Sequence, residues 1–167
     1  NGYLIKKTNQ IEILYYLRKK ILDFIFLKMP KLKKKIDKKN ISDFLTNFHK
    51  YIKKGDLNEL RIFVIKKLND DKKFGKNYYN VARELLEFLV GNELAMQNKI
   101  NLSIQIPNDQ DSMLPMHSDI YAGESPFEAN IWIPLVNVEA DSRSMFITTP
   151  KKNKLIDKLI TKSKNMT

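Results

Sequence analysis

The spacing of apolar residues changes once along this chain, near Asn98. Before that point they recur three and four residues apart, the repeat that gathers side chains on one face of an α-helix. Beyond it they recur at every second residue, the repeat of an extended strand. The switch divides the sequence into a helical scaffold region, residues 1–97, and a strand region, residues 98–167, so the expected class is α+β. A length of 167 residues suits one core, and the two regions are expected to form one domain.

In the first region Ile11, Leu14, Leu17, Ile21, Leu22 and Ile25 mark one face of a helix from Gln10 to about Lys28, which Pro30 ends. The lysine run from Lys31 to Lys39 is too densely charged to bury and reads as an exposed link. Ser42 is placed to cap a helix carrying Phe44, Leu45, Phe48, Tyr51 and Ile52, with Gly55 as its stop. Asp56 and Glu59 have the spacing of a capping box and open a further helix bearing Leu57, Leu60, Val64 and Leu68. The last helix of the region is expected over Tyr78 to Leu89, with Val81, Ala82, Leu85 and Leu89 inward and Gly91 at its end.

Strands are expected where Leu102, Ile104 and Ile106 alternate with Ser103, Gln105 and Pro107, through Met116 to Tyr121, over Phe127 to Leu135, and over Ser144 to Thr148. The turn-rich run Asn108 to Ser112 and the Ala122 to Pro126 stretch separate them. Short strands divided by turns indicate an antiparallel sandwich or barrel of the jelly-roll kind. That architecture takes about eight strands, roughly twice what can be traced, so a truncated chain is expected. The first residue, Asn1, is not an initiator Met, and this agrees with a fragment.

Charge and composition narrow the function classes. The net charge of +11 comes almost entirely from Lys, with Arg only at positions 18, 61, 83 and 143. Base readout favours Arg forks with stacking aromatics, so the lysines read as a solvated face and no nucleic-acid partner is expected. The chain has no Cys, which excludes disulfides, thiolate metal sites and thiol nucleophiles. The apolar run Ile21 to Leu27 contains Asp23 and is far short of a membrane span. No membrane association is expected, and the assigned compartment is the cytoplasm.

The chemistry concentrates in Pro115, Met116, His117, Ser118 and Asp119. On a strand, residues two apart share a face, so His117 and Asp119 would present an imidazole and a carboxylate to one point. A buried imidazole bonded to a carboxylate, or a surface His beside an Asp, is the competing reading of that spacing. With a second His, such a pair forms the facial triad that holds non-heme iron and leaves three coordination positions open.

Gly91 to Gln97, Asn101 to Pro107, and the His117, Ser118, Asp119 motif with its successors resemble the iron(II) and 2-oxoglutarate-dependent oxygenases found sporadically in carbohydrate biosynthesis clusters. Trp132 to Val136, followed by Ser144 to Ile147, is similar more distantly to strands of phytanoyl-CoA dioxygenase-like enzymes. The resemblance is sharp from about Gly91 to Pro150. It implies that residues 98–167 are the first half of a double-stranded β-helix (jelly roll), with His117 and Asp119 as the first two iron ligands. It also implies that 2-oxoglutarate and O2 are cosubstrates. Gln105, Asn130 and Trp132 would then face the iron and contact cosubstrate or substrate, with solvation and core packing as their competing roles.

The family pattern also asks for a distal His and a basic residue for the far carboxylate of 2-oxoglutarate. No His follows Asp119. His49 precedes the motif on an expected helix and reads as an ordinary helix residue, and Arg143 falls too early to be the basic anchor. The expected activity is a dioxygenase hydroxylating or otherwise oxidising a carbohydrate-related small metabolite, with those two residues missing from this sequence. The alternatives are a metal-binding, non-oxidising jelly roll, such as an isomerase or sugar-binding module, and a basic nucleic-acid interaction protein.

Overall fold

Leu17, Ile21, Leu22 and Ile25 are buried along one side of α1 (Ile11–Lys28), as their spacing requires. The structure is a computed structural model that describes residues 2–35, 40–91, 93–109, 117–139, 144–150, 152–156 and 158. After α1 the chain enters a 3-10 turn at Pro30–Lys35 that buries Leu32 among exposed lysines. Then come the short helix α2 (Ile41–Thr46) and a second 3-10 turn at Phe48–Lys50. The cap of α2 is Asn40, whose side chain accepts from the Asp43 N–H at 3.0 Å, and not Ser42 two residues on. Both residue types cap well, and the backbone geometry at Asn40 decides between them.

α3 (Lys54–Asp70) starts earlier than the Asp56 to Glu59 spacing predicts. Gly55 is its second residue rather than a stop, and no side chain caps its start. α4 (Lys72–Val90) likewise begins a turn and a half before Tyr78, because Asp71 caps it by accepting from the Phe74 N–H at 3.0 Å. Gly91 ends it at φ 84°, a left-handed backbone that glycine adopts without a Cβ penalty. Val81 and Leu86 are buried on α4, whereas Leu89 is exposed, so its inward face is turned from the one the spacing predicted.

α1 packs on α3 and α4, and these two pack on each other. Val64, Leu57, Leu60 and Leu68 of α3 meet Leu17 and Ile25 of α1 and Phe74 of α4 in one buried cluster, extended by Phe44 and Phe48. Each fully buried side chain of this size contributes about 1.5–3 kcal/mol, and the helical core is the main source of stability here. Lys20 and Lys73 lie over the Tyr16 ring, and Lys28 and Lys67 over Phe63. Several ammonium groups thus face half-buried aromatic rings, and two of them, Lys20 and Lys28, also pair with Asp71 and Glu59.

The expected half jelly roll is overturned: no β-strand forms among the described residues. The alternation itself is real. Leu102, Ile104 and Ile106, and later Ile133 and Leu135, are partly buried against the helical core, while Ser103, Gln105, Trp132 and Pro134 are exposed. These segments are extended ribbons laid on helices, with no neighbouring strand among the described residues. Their carbonyls are taken by helix side chains: Asn69 and Arg61 of α3 bond Ile100 and Ile104, Arg18 of α1 bonds Leu135 at 2.8 Å, and the Tyr78 hydroxyl of α4 bonds Ile131 at 3.4 Å. A period of two reports which side of a ribbon is covered, and helix donors have satisfied backbone groups that a sheet would otherwise pair.

The structure comprises two units. The helical unit spans Thr8–Met113 and Ala129–Asn137; the other comprises Asn1–Lys7, Leu114–Glu128 and Val138–Thr167. In this second unit residues 152–156 are helical and Asp119–Ala122 form a 3-10 turn. The expected strands through Met116 to Tyr121 and over Ser144 to Thr148 are absent among its described residues. No helix among the described residues is long and apolar enough to cross a membrane.

Candidate functional site

The candidate donors lie on a turn and not on a strand. Ser118 is extended (φ −125°, ψ 130°), and the chain then tightens into the 3-10 turn Asp119–Ala122. Gly123 closes that turn at φ 98°, with its N–H donating to the Ile120 carbonyl at 3.1 Å and the Glu124 N–H donating to the Asp119 carbonyl at 3.0 Å. A further turn follows: the Phe127 N–H donates to Ser125 Oγ at 3.2 Å and the Glu128 N–H to the Ser125 carbonyl at 3.1 Å.

This local geometry brings His117 Nε2 to 3.4 Å from Asp119 Oδ1, with the two side chains 49% and 48% exposed. Donors about 2.0–2.2 Å from a shared ion stand about 2.8–3.1 Å apart at adjacent octahedral positions and about 3.3–3.6 Å apart in a tetrahedron, so the pair matches a tetrahedral edge as it stands and must close by a few tenths of an ångström to share an octahedral ion. The surroundings are acidic. Partial desolvation, followed by the neighbouring carboxylates of Glu124 and Asp119, pushes the Glu128 carboxyl above its ordinary value. An acid raised by like charges gains from a cation nearby. No group of three or more His, Asp and Glu positioned to share one metal ion occurs among the described residues. The fit therefore extends to two protein donors and stops there.

The remaining sequence-selected residues fall elsewhere. Gln105, Asn130 and Trp132 belong to the helical unit and are exposed, Trp132 at 48%. The sheet interior into which they were expected to point is not formed by the described residues. His49 is on the 3-10 turn Phe48–Lys50 of the helical unit. Pro115, Met116 and Arg143 lie outside the described residues.

Sequence reasoning passed over the polar residues that hold the ribbons, above all Asp109, whose side chain is 3% exposed and pairs with Arg61 and Lys54 at 3.3 Å each. Their signal was present: Lys54, Arg61 and Asn69 recur about two helical turns apart beside an apolar stripe. A shallow cavity of about 450 Å³ beside α1 and α4 is lined by Gln10, Ile13, Asn80, Arg83, Glu84 and Glu87. Arg83 Nε donates to Glu87 at 2.7 Å, and this bond holds the guanidinium above and the carboxyl below their ordinary values. Arg83 and Glu87 thus neutralise each other within this cavity.

Comparison with protein-family models, with curated proteins and with solved structures returns no match.

Proposed function

We propose that this chain supplies two of the three protein ligands of a non-heme iron(II) centre, His117 and Asp119. The enzyme would oxidise a carbohydrate-related small metabolite with 2-oxoglutarate and O2 as cosubstrates. The observation that carries the reading is the approach of Nε2 and Oδ1 to 3.4 Å within the motif whose surroundings resemble that oxygenase family. When bound, the iron would supply the redox chemistry and orient the reactants.

The residues themselves have simpler tasks. Neutral His117 offers one ring nitrogen as a donor, and Asp119 offers an anionic oxygen beside it. The turn closed by Gly123 holds the Asp119 backbone, and Glu124 and Glu128 add negative charge near Asp119 that favours a divalent cation. The reading calls for a third donor beyond the described residues.

The test is iron-dependent release of succinate from 2-oxoglutarate by the full-length protein. His117→Ala and Asp119→Ala should each abolish it while the far-ultraviolet signature of the helices is unchanged. Turnover that survives both substitutions would refute the assignment. Metal binding at these residues with no 2-oxoglutarate turnover would select the non-oxidising, metal-binding alternative, which the same acidic surroundings also favour.

A further inference from the structure

Residues 100–109 run along α3 in the opposite direction to the helix. At one end, the Asn69 side chain engages both main-chain groups of a single residue. Its Oδ1 accepts from the Ile100 N–H at 2.7 Å and its amide donates to the Ile100 carbonyl at 3.0 Å. Asn69 also donates to the Ile65 carbonyl at 2.8 Å, which fixes the amide on its own helix. Two turns back, Arg61 Nε donates to the Ile104 carbonyl at 2.8 Å. At the far end Asn108 takes a left-handed φ of 61°, and buried Asp109 pairs with Arg61 and Lys54.

The two repeats match. Eight helical residues from Arg61 to Asn69 rise about 12 Å, and four extended residues from Ile100 to Ile104 span about 13 Å. Among the described residues, no backbone–backbone hydrogen bond ties residues 100–107 to any other segment. The apolar contacts of the ribbon with the helical core are made by Ile100, which is buried, and by the partly buried Leu102, Ile104 and Ile106. The fully buried residues beneath it, Leu57, Leu60, Val64 and Leu68 with Leu17, Ile25 and Phe74, come from α1, α3 and α4.

We propose that residues 100–109 form a strap that docks on α3 and releases from it as one unit, without unfolding the helices, and that Asp109 is its latch. The anchors act together because Arg61 belongs to two of them: its guanidinium bonds the Ile104 carbonyl and pairs with Asp109. Loss of the Asp109 charge loosens Arg61, and with it the register of the ribbon as far as Ile100. The inference does not depend on the metal reading.

The test perturbs one end and reads the other. The Ile100 N–H, bonded to Asn69, reports closure by its hydrogen-exchange rate, and Asp109→Asn removes the charge at the far end. Asp109→Asn should accelerate exchange at Ile100 about tenfold, the factor for roughly 1.4 kcal/mol of lost anchoring, while core amides of α1, α3 and α4 keep their rates. An unchanged Ile100 rate would overturn the unit-wise release. Equal acceleration of Ile100 and the helices would do so too, since the strap would then open only with the core. As a second readout, the chain has no Cys, so Ile104→Cys introduces a unique thiol. Its labelling should quicken by about the same factor when Asp109→Asn is added. A constant labelling rate would also overturn the proposal.

Discussion

Asp71 shows how one side chain joins two helices. Its carboxylate caps α4 through the Phe74 N–H and pairs with Lys20 of α1 at 3.1 Å. Burial alone would raise its pKa, but the Phe74 N–H and the Lys20 ammonium outweigh burial and hold it below the ordinary carboxylate value. A group with a lowered folded pKa stabilises the fold above its unfolded pKa, about 3.9, and loses that contribution as pH falls through the folded value. Asp71→Ala should therefore cost about 1 kcal/mol in urea unfolding at pH 7, with the deficit shrinking below about pH 4. A deficit that is the same at pH 7 and pH 3 would contradict the carboxylate's role. At Gly123 an added Cβ would meet nothing within 4 Å, so the cost of Gly123→Ala is purely that of a left-handed backbone, about 1 kcal/mol. It should appear as faster exchange of the Glu124 amide, which closes the turn. Such residues are hard to read from sequence because several cap formers lie close together. The sequence pointed to Ser42, and the cap is Asn40 two residues earlier, a residue type that serves equally well.

Among elements, helices were the legible part. α1 ends just before Pro30, and the buried positions Leu57, Leu60, Val64 and Leu68 of α3 are those the three-and-four spacing selects. Leu60 is 1% exposed and Ile62 is 62% exposed on the same helix. Leu60→Ala should cost about 2–5 kcal/mol in denaturant unfolding, and Ile62→Ala should stay within about 0.5 kcal/mol of the parent. Comparable losses at both would mean that α3 is rotated from the orientation described. The ribbons were legible in one respect only. Alternation placed Leu102, Ile104 and Ile106 inward and Ser103 and Gln105 outward, but it carries no information on what bonds the backbone. The answer lay in Arg18, Arg61, Asn69 and Tyr78, residues far away in sequence whose donors reach the ribbon carbonyls. Pairing between distant segments is the contact a single sequence specifies least.

For the molecule as a whole, the basic charge is distributed along the chain and the candidate chemistry is local to one turn. The net charge of +11 is carried mostly by lysines, several of which lie across aromatic rings, whereas His117 pairs with Asp119, whose charge together with that of Glu124 is felt by Glu128. The closeness of His117 and Asp119 was expected from a strand that does not form among the described residues, and a turn brings the two side chains together instead. A complete donor set was not readable, since a metal site assembles from distant parts of a chain. The most direct measurement is titration of the intact protein with cobalt(II), an air-stable ion that accepts the same nitrogen and oxygen donors, followed by visible absorption. A saturable site that disappears in His117→Ala and in Asp119→Ala but persists in His49→Ala is the predicted result. Cobalt binding unaltered by either substitution, or lost only when His49 is replaced, would contradict the account.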